Sequence, residues 1–201
     1  MATLLLVRHG QSQWNLENRF TGQADVALTP QGEAEARRAG RKLAGYRFSL
    51  AFTSTLGRAR RTLAIILEET GQTGVEIRES AALNERSYGD LEGLDKDQTT
   101  RQYGADRVHA WRRSYEAVPP GGESLADTAR RVVPYYQAHV APLLGGDHAL
   151  LVVAHGNSLR ALVMHLEHIA PADIGAFEIP TGGIRRYRFD PGGRPAESDW
   201  L

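Results

Sequence analysis

Cysteine is absent from the 201 residues. That excludes a disulfide framework, a thiolate nucleophile and a cysteine-ligated zinc site. An excess of either charge is absent too, since Lys+Arg and Asp+Glu are 24 each. Bulk charge therefore gives no support for nucleic-acid binding or attachment to an anionic membrane, and any strong positive field must be local. Long apolar runs are missing. The opening Met-Ala-Thr-Leu-Leu-Leu-Val stops at Arg8, and the longest later run, Ala149 to Ala154, is strand-sized. Neither suits a signal peptide or a membrane span, so a cytoplasmic enzyme is expected. Lysine is scarce: Lys42 and Lys96 stand against 22 arginines. What is present, 41% hydrophobic and 24% charged residues, is ordinary for a folded chain and excludes wholesale disorder. The length suits one catalytic domain spanning residues 1–201.

Strand and helix signals alternate. Thr3 to Val7, Ser49 to Thr53 and Leu150 to Ala154 are short apolar runs of the kind buried on both sheet faces, and Val75 to Arg78 reads as a shorter strand. Thr29 before Pro30 reads as an N-cap with proline at the first helical position, opening a helix to about Ala44. Further helices are expected over Leu56 to Thr70, Glu123 to Leu144 (with Pro134 capping, kinking or interrupting it) and Asn157 to Glu167. Ile184 to Phe189 alternates as a final strand, while Val118 to Gly122 and Asp190 to Pro195 read as turns. The pattern predicts a three-layer α/β/α fold with a mostly parallel central sheet.

Two of the apolar strands end in His-Gly: His9-Gly10 and His155-Gly156. Ligands bind beyond the carboxyl ends of strands in open parallel sheets. If both strands are central, the two imidazoles emerge at the same edge and can face one another. Arg8 precedes His9, the polar stretch Gln11-Ser12-Gln13-Trp14-Asn15 follows it, and Asn157 and Ser158 follow the second histidine. Guanidinium, amide, hydroxyl and helix-terminal N–H groups together compose an anion pocket.

These residues resemble the histidine phosphatase superfamily. The run Arg8 to Gly32 (R-H-G-Q-S-Q-W-N-L-E-N-R-F-T-G-Q-A-D-V-A-L-T-P-Q-G) is similar, more specifically, to the 2,3-bisphosphoglycerate-dependent phosphoglycerate mutases. So are Ala82 to Leu91 (A-L-N-E-R-S-Y-G-D-L), Gly93 to Lys96, Trp111-Arg112-Arg113 and Ala154 to Leu162 (A-H-G-N-S-L-R-A-L). The likeness spans nearly the whole chain and is greatest with the short bacterial form. Pro119-Pro120-Gly121-Gly122 runs straight into Glu123-Ser124-Leu125, where longer mutases carry an insertion. Gln11, Gln23 and Ser87 depart from the common pattern, standing where relatives often carry glutamate, an aromatic and histidine.

The resemblance implies a phosphohistidine at His9, with Arg8, Arg58 and His155 around the phosphoryl group and Glu85 as acid/base. It implies substrate contacts from Gly10, Gln11, Ser12, Asn15, Thr21, Gly22, Arg86, Ser87, Tyr88, Gly156 and Asn157. Lys96, Arg112 and Arg113 would grip the substrate's second anionic end. Adjacent Arg112 and Arg113 cannot share one helix face and are expected at a helix end. The implied reaction is the interconversion of 3-phosphoglycerate and 2-phosphoglycerate in glycolysis and gluconeogenesis, with 2,3-bisphosphoglycerate as primer. The remaining histidines, His109, His139, His148, His165 and His168, carry no ligand pattern, and no metal is expected. Nor is a nucleic-acid or membrane partner; self-association as a dimer or tetramer is implied by the likeness. Two other readings stand beside this one: a phosphomonoesterase of the same fold, with water as acceptor, and an inactive phosphoprotein- or metabolite-binding module.

Overall fold

The structure, a computed structural model, describes residues 1–201. In chain order the elements are β1 (Thr3–Arg8), α1 (Gln13–Leu16), α2 (Pro30–Lys42), β2 (Phe48–Thr53), α3 (Gly57–Glu69), β3 (Ile77–Glu79), α4 (Lys96–Tyr103), α5 (Ala105–Arg113), α6 (Leu125–His139), β4 (Ala149–Ala154), α7 (Gly156–Glu167), β5 (Ile184–Phe189) and β6 (Pro195–Trp200). The six strands form one sheet in the order β3-β2-β4-β1-β5-β6. Pairings from β3 through β1 are parallel, and β5 and β6 add antiparallel neighbours at one side.

Side-chain alternation divides the core between two faces. Leu4, Leu6, Leu150 and Val152 pack with Val132 and Tyr136 of α6 and with Leu159, Leu162 and Val163 of α7. Leu5, Val7, Leu151 and Val153 pack with Ala39 of α2 and with Leu63, Ile66 and Leu67 of α3. Full burial of each such Leu or Val contributes roughly 1.5–3 kcal/mol. Both faces of the central strands are covered, which is why they read as unbroken apolar runs and why the architecture is α/β/α. No helix is long and apolar enough to cross a membrane.

Several boundaries differ from the sequence reading. The helix opened by Ser124 ends at His139, not Leu144, and Pro134 lies inside it; a short 3-10 turn, Ala141–Leu143, follows. Ile184–Phe189 is not the last strand. β6 pairs with it antiparallel, although every β6 residue is exposed. Its sequence, P-A-E-S-D-W, has no apolar alternation; cross-strand Arg186–Asp199 and Arg188–Glu197 pairs accompany the ladder instead. The α4–α5 pair was not foreseen. Asp95 caps α4 by accepting from the Gln98 N–H, and Gly104, at φ +87°, turns the chain into α5.

β1 and β4 run in register from Thr3↔Ala149 to Arg8↔Ala154. His9 and His155 are the next residue of each, so they leave the sheet side by side. Directly beyond, the backbone of residues 10–11 crosses the first turn of α2. A Cβ on Gly10 would stand 2.1 Å from the Gly32 carbonyl oxygen, and one on Gly32 would stand 2.1 Å from that of Gln11. In an open helix Gly→Ala would stabilise by about 1 kcal/mol. Here the Cβ meets main chain, so strain of about 1–3 kcal/mol opposes that gain, with this contact at the severe end. We expect Gly32→Ala to lose net stability, seen as a lower urea midpoint at unchanged slope. An unchanged or higher midpoint would refute the close crossing.

Candidate active site

The two imidazoles stand with ring centroids 5.0 Å apart, tilted by 59°. His9 is 3% exposed and His155 is fully buried. His9 Nδ1 lies 2.6 Å from the Gly10 carbonyl oxygen. A carbonyl only accepts, so Nδ1 carries the proton and Nε2 keeps its lone pair. Burial, followed by the positive charges of Arg58 and Arg8, holds the His9 imidazole well below its ordinary pKa. His155 is lowered likewise, by burial first and then by Arg58, His9 and Arg8. Both rings are thus neutral near pH 7, as a nitrogen nucleophile requires.

Two guanidiniums flank the pair. Arg8, the last residue of β1, donates from Nη1 to the Ile179 carbonyl at 2.6 Å. Arg58, in the first turn of α3, donates from Nη1 and Nη2 to the carbonyls of Ala24 and Gly22, each at 2.7 Å. Both terminal nitrogens of Arg58 and Nη1 of Arg8 are tied to main chain, yet the Nε of each is buried without a partner in the protein. Thr21 Oγ1 and His155 Nδ1 are buried and unpartnered as well. An unsatisfied buried polar group costs about 1–3 kcal/mol. Four such groups, three on residues that line one hollow and the fourth on the ring adjoining His9, amount to preorganised hydrogen-bonding capacity for a multi-oxygen anion.

Glu85 arrives on the loop after the short turn Ala81–Leu83. Its Oε1 accepts the N–H of Arg86 at 2.8 Å and that of Asn157, in the first turn of α7, at 3.0 Å. Oε2 is less engaged, 3.4 Å from the Asn157 nitrogen. The loop itself is gripped by Arg131 of α6. That guanidinium donates to the carbonyls of Ala82, Asn84 and Glu85 at 2.9, 2.8 and 3.0 Å, and pairs with Glu123 at 2.9 Å. Asn84 Oδ1 in turn accepts from the N–H and hydroxyl of Thr55.

These walls enclose a hollow of about 160 Å³. Arg8, His9, Asn15, Thr21, Gly22, Arg58, Glu85, Tyr88, Gly156 and Asn157 line it, together with Lys96, Arg112 and Arg113. Lys96 opens α4; Arg112 and Arg113 close α5, and the end of the helix lets both reach one space. Burial, then the neighbouring Arg112 and Arg8, lower the Lys96 ammonium to about 8. His155 is not among the residues that line the hollow, although its ring adjoins that of His9. Five other residues named from the resemblance do not line it either. Gly10 makes the crossing with Gly32 and donates its N–H to Thr62. Gln11 faces Thr29 and Glu35. Ser12 caps α1. Arg86 donates to the Tyr88 hydroxyl and the Arg112 carbonyl, and Ser87 donates to Glu92.

Five lining residues were not foreseen: Arg19, Phe20, Arg160, Glu178 and Ile179. Arg19 and Phe20 adjoin the Thr21-Gly22 pair and could have been found by extending that motif. Glu178 and Ile179 carry no local signal. They come to the site because Arg8 and Gly183 meet through main-chain hydrogen bonds, bringing the preceding loop alongside.

The sequence profile of the histidine phosphatase superfamily (branch 1) matches residues 4–198. The chain is 57% identical over 189 residues to a 2,3-bisphosphoglycerate-dependent phosphoglycerate mutase of Cytophaga hutchinsonii, covering 94% of this chain and 88% of that one. It is 51% identical over 201 residues to the protein of the same name in Brucella melitensis, covering 99% and 98%. Among solved structures, a mycobacterial glucosyl-3-phosphoglycerate phosphatase in complex with VO3 superimposes with a TM-score of 0.84 at 28% identity, covering 98% of this chain and 96% of that one. The chain belongs to the histidine phosphatase superfamily and, within it, to the family of 2,3-bisphosphoglycerate-dependent phosphoglycerate mutases.

Proposed function

We propose that the protein interconverts 3-phosphoglycerate and 2-phosphoglycerate through a phosphohistidine at His9, in the cytoplasm, as a step of glycolysis and gluconeogenesis. The observation that carries this reading is the pairing of a neutral His9, bare at Nε2, with two separate cationic groups in one hollow. Arg8 and Arg58 stand beside the imidazole, and Lys96, Arg112 and Arg113 stand on α4 and α5. A ligand with anionic groups at both ends matches that division. The two unpartnered Nε–H groups and Thr21 also fit a phosphate, so the residues suit 2,3-bisphosphoglycerate as primer. When bound, that primer supplies the phosphoryl group that charges His9. Self-association as a homo-oligomer follows from the same likeness.

His9 Nε2 attacks a phosphate-ester phosphorus, the Nε2–P bond forming as the ester O–P bond breaks and the departing oxygen taking a proton from Glu85, while Gly10 keeps the other ring nitrogen protonated. Arg8 and Arg58 neutralise the equatorial oxygens; removing such a donor costs on the order of 3 kcal/mol in the transition state. The substrate hydroxyl then attacks phosphorus. The new O–P bond forms as the Nε2–P bond breaks, and Glu85 Oε2 takes the hydroxyl proton. In the return transfer from the neighbouring carbon, Glu85 gives that proton back to the departing oxygen. Between the two transfers the bisphosphorylated intermediate exchanges ends relative to His9, and in each orientation Lys96, Arg112 and Arg113 hold the end that is not reacting. A phosphomonoesterase needs the first cationic group and less of the second, and the mycobacterial neighbour of that activity keeps this alternative in view.

A coupled 3-phosphoglycerate assay with chelator present, run with and without added 2,3-bisphosphoglycerate, tests the reading. Primer-dependent turnover well above phosphate release supports the mutase; release alone would replace it with the phosphatase. We expect His9→Ala to abolish acid-labile phosphate incorporation, and Glu85→Gln to lower kcat by roughly 10²–10⁴-fold. Normal labelling of His9→Ala would refute the nucleophile.

The pH profile offers a second check. The Lys96 ammonium, at about 8, loses its charge as pH rises through that value, so anion binding weakens on the alkaline side. kcat/KM, which reports the free enzyme, should fall above about pH 8, chiefly through KM. Lys96→Arg keeps its charge and should move that limb upward. An alkaline limb identical in both proteins would remove Lys96 from the binding group.

A further inference from the structure

We propose that Ser54 is a positioning residue that fixes His155 in the tautomer bearing its proton on Nδ1, making that N–H the ring's donor to the transferring phosphoryl group. Ser54 follows β2 directly, and its Oγ lies 2.7 Å from His155 Nε2. Both residues are fully buried. The same Oγ accepts the Leu56 N–H at 3.2 Å, which orients the hydroxyl from below the N-terminus of α3. His155 Nδ1 has no partner in the protein.

Counting donors and acceptors decides between the tautomers. With the proton on Nε2, the ring would donate to Ser54. The serine proton would then have no acceptor, and Nδ1 would be a bare buried lone pair: two unsatisfied groups. With the proton on Nδ1, Ser54 donates to Nε2 and only the Nδ1–H stays open. Each buried unsatisfied group is costly, so the second arrangement is favoured. It also leaves a donor, where the first would leave a lone pair repelled by phosphoryl oxygens. The doubly protonated ring is excluded by burial beside Arg58, His9 and Arg8.

The two histidines are thus set alike by different means. Gly10 takes the Nδ1 proton of His9 and exposes a nucleophilic Nε2, whereas Ser54 occupies Nε2 of His155 and leaves Nδ1–H free. Nothing in the local sequence marks Ser54 for this role; it depends on β2 and β4 being neighbours in the sheet.

This inference rests on the phosphohistidine reading, but its first test does not. Multiple-bond proton–nitrogen NMR on the ¹⁵N-labelled full chain, with His155 assigned by its loss in His155→Gln, should show protonated Nδ1 and unprotonated Nε2. In Ser54→Ala the His155 signals should move to a mixture of tautomers while those of His9 stay. The rate of His9 phosphorylation by 2,3-bisphosphoglycerate should fall roughly 10- to 100-fold. Ser54→Thr, which keeps the hydroxyl, should restore both. A protonated Nε2 in the wild type, or a wild-type phosphorylation rate in Ser54→Ala, would overturn the assignment. If Ser54→Ala fails to fold, the wild-type and Ser54→Thr spectra still decide. If the wild type takes up no phosphate at all, the phosphohistidine reading fails while the tautomer is still determined.

Discussion

Keeping two imidazoles uncharged among buried guanidiniums is the condition on which the site depends. His9 and His155 lie 5.0 Å apart and almost wholly out of water, with Arg8 and Arg58 beside them. A proton on either ring would add a third positive charge where none can be solvated, so burial and charge push the same way. The result is a nitrogen lone pair that remains available near neutral pH inside a positive field. In water those two properties oppose each other, because the field that attracts a phosphate is offset by solvent and the imidazole is partly protonated. The two-faced core makes the burial possible. β1 and β4 are covered on both sides, and their shared register brings both histidines out at one level.

Arginine and lysine divide the cationic work according to their shapes. Arg58 holds the carbonyls of Gly22 and Ala24 with its two terminal nitrogens and still has Nε–H to offer. Arg8 holds the Ile179 carbonyl with Nη1 alone and likewise keeps Nε–H free. A planar fork can therefore fix a loop and point a donor in one residue, which an ammonium cannot do. The fixed donors need no reorganisation when charge develops on the phosphoryl oxygens. Lys96, on α4, is a half-buried charge beside Arg112, and that environment brings its titration to about 8. His9 and His155 stay uncharged over the neutral range, whereas Lys96 begins to lose its charge at the alkaline end.

What could be read from the sequence follows the range of each interaction. β1 and β4 announced themselves as apolar runs, and Thr29-Pro30 as a cap, because burial on two faces and local capping leave local marks. The strand-terminal His9 and His155 were legible for the same reason. α4 and α5 were not, since both are short and polar and rely on Asp95 and Gly104 to start and turn. β6 gave no periodic signal because both of its faces are exposed. The grip of Arg131 on the Glu85 loop, the Gly10–Gly32 crossing and the Ser54–His155 bond join residues 46, 22 and 101 positions apart, and no pattern along the chain encodes them. The resemblance named Gly10, Gln11, Ser12, Arg86 and Ser87 as contacts. In the structure these five support the lining residues through main-chain crossings, caps and hydrogen bonds.

The division between the walls also bears on why one fold serves transferases and hydrolases. The cradle around His9 acts on phosphorus and is indifferent to the oxygen that attacks it. On the proposed mechanism Glu85 takes the proton of the attacking hydroxyl, and an attacking water would offer an equivalent one. Chemistry at the back wall therefore does not select the acceptor. Selection has to come from binding energy spent on the non-reacting end of the substrate, which holds one hydroxyl in line and displaces water from that position. On the function proposed above, that energy comes from Lys96, Arg112 and Arg113, three cations on two short helices outside the sheet. On that reading the acceptor is selected on elements separate from β1, β4 and α3, which position the histidines and their guanidiniums.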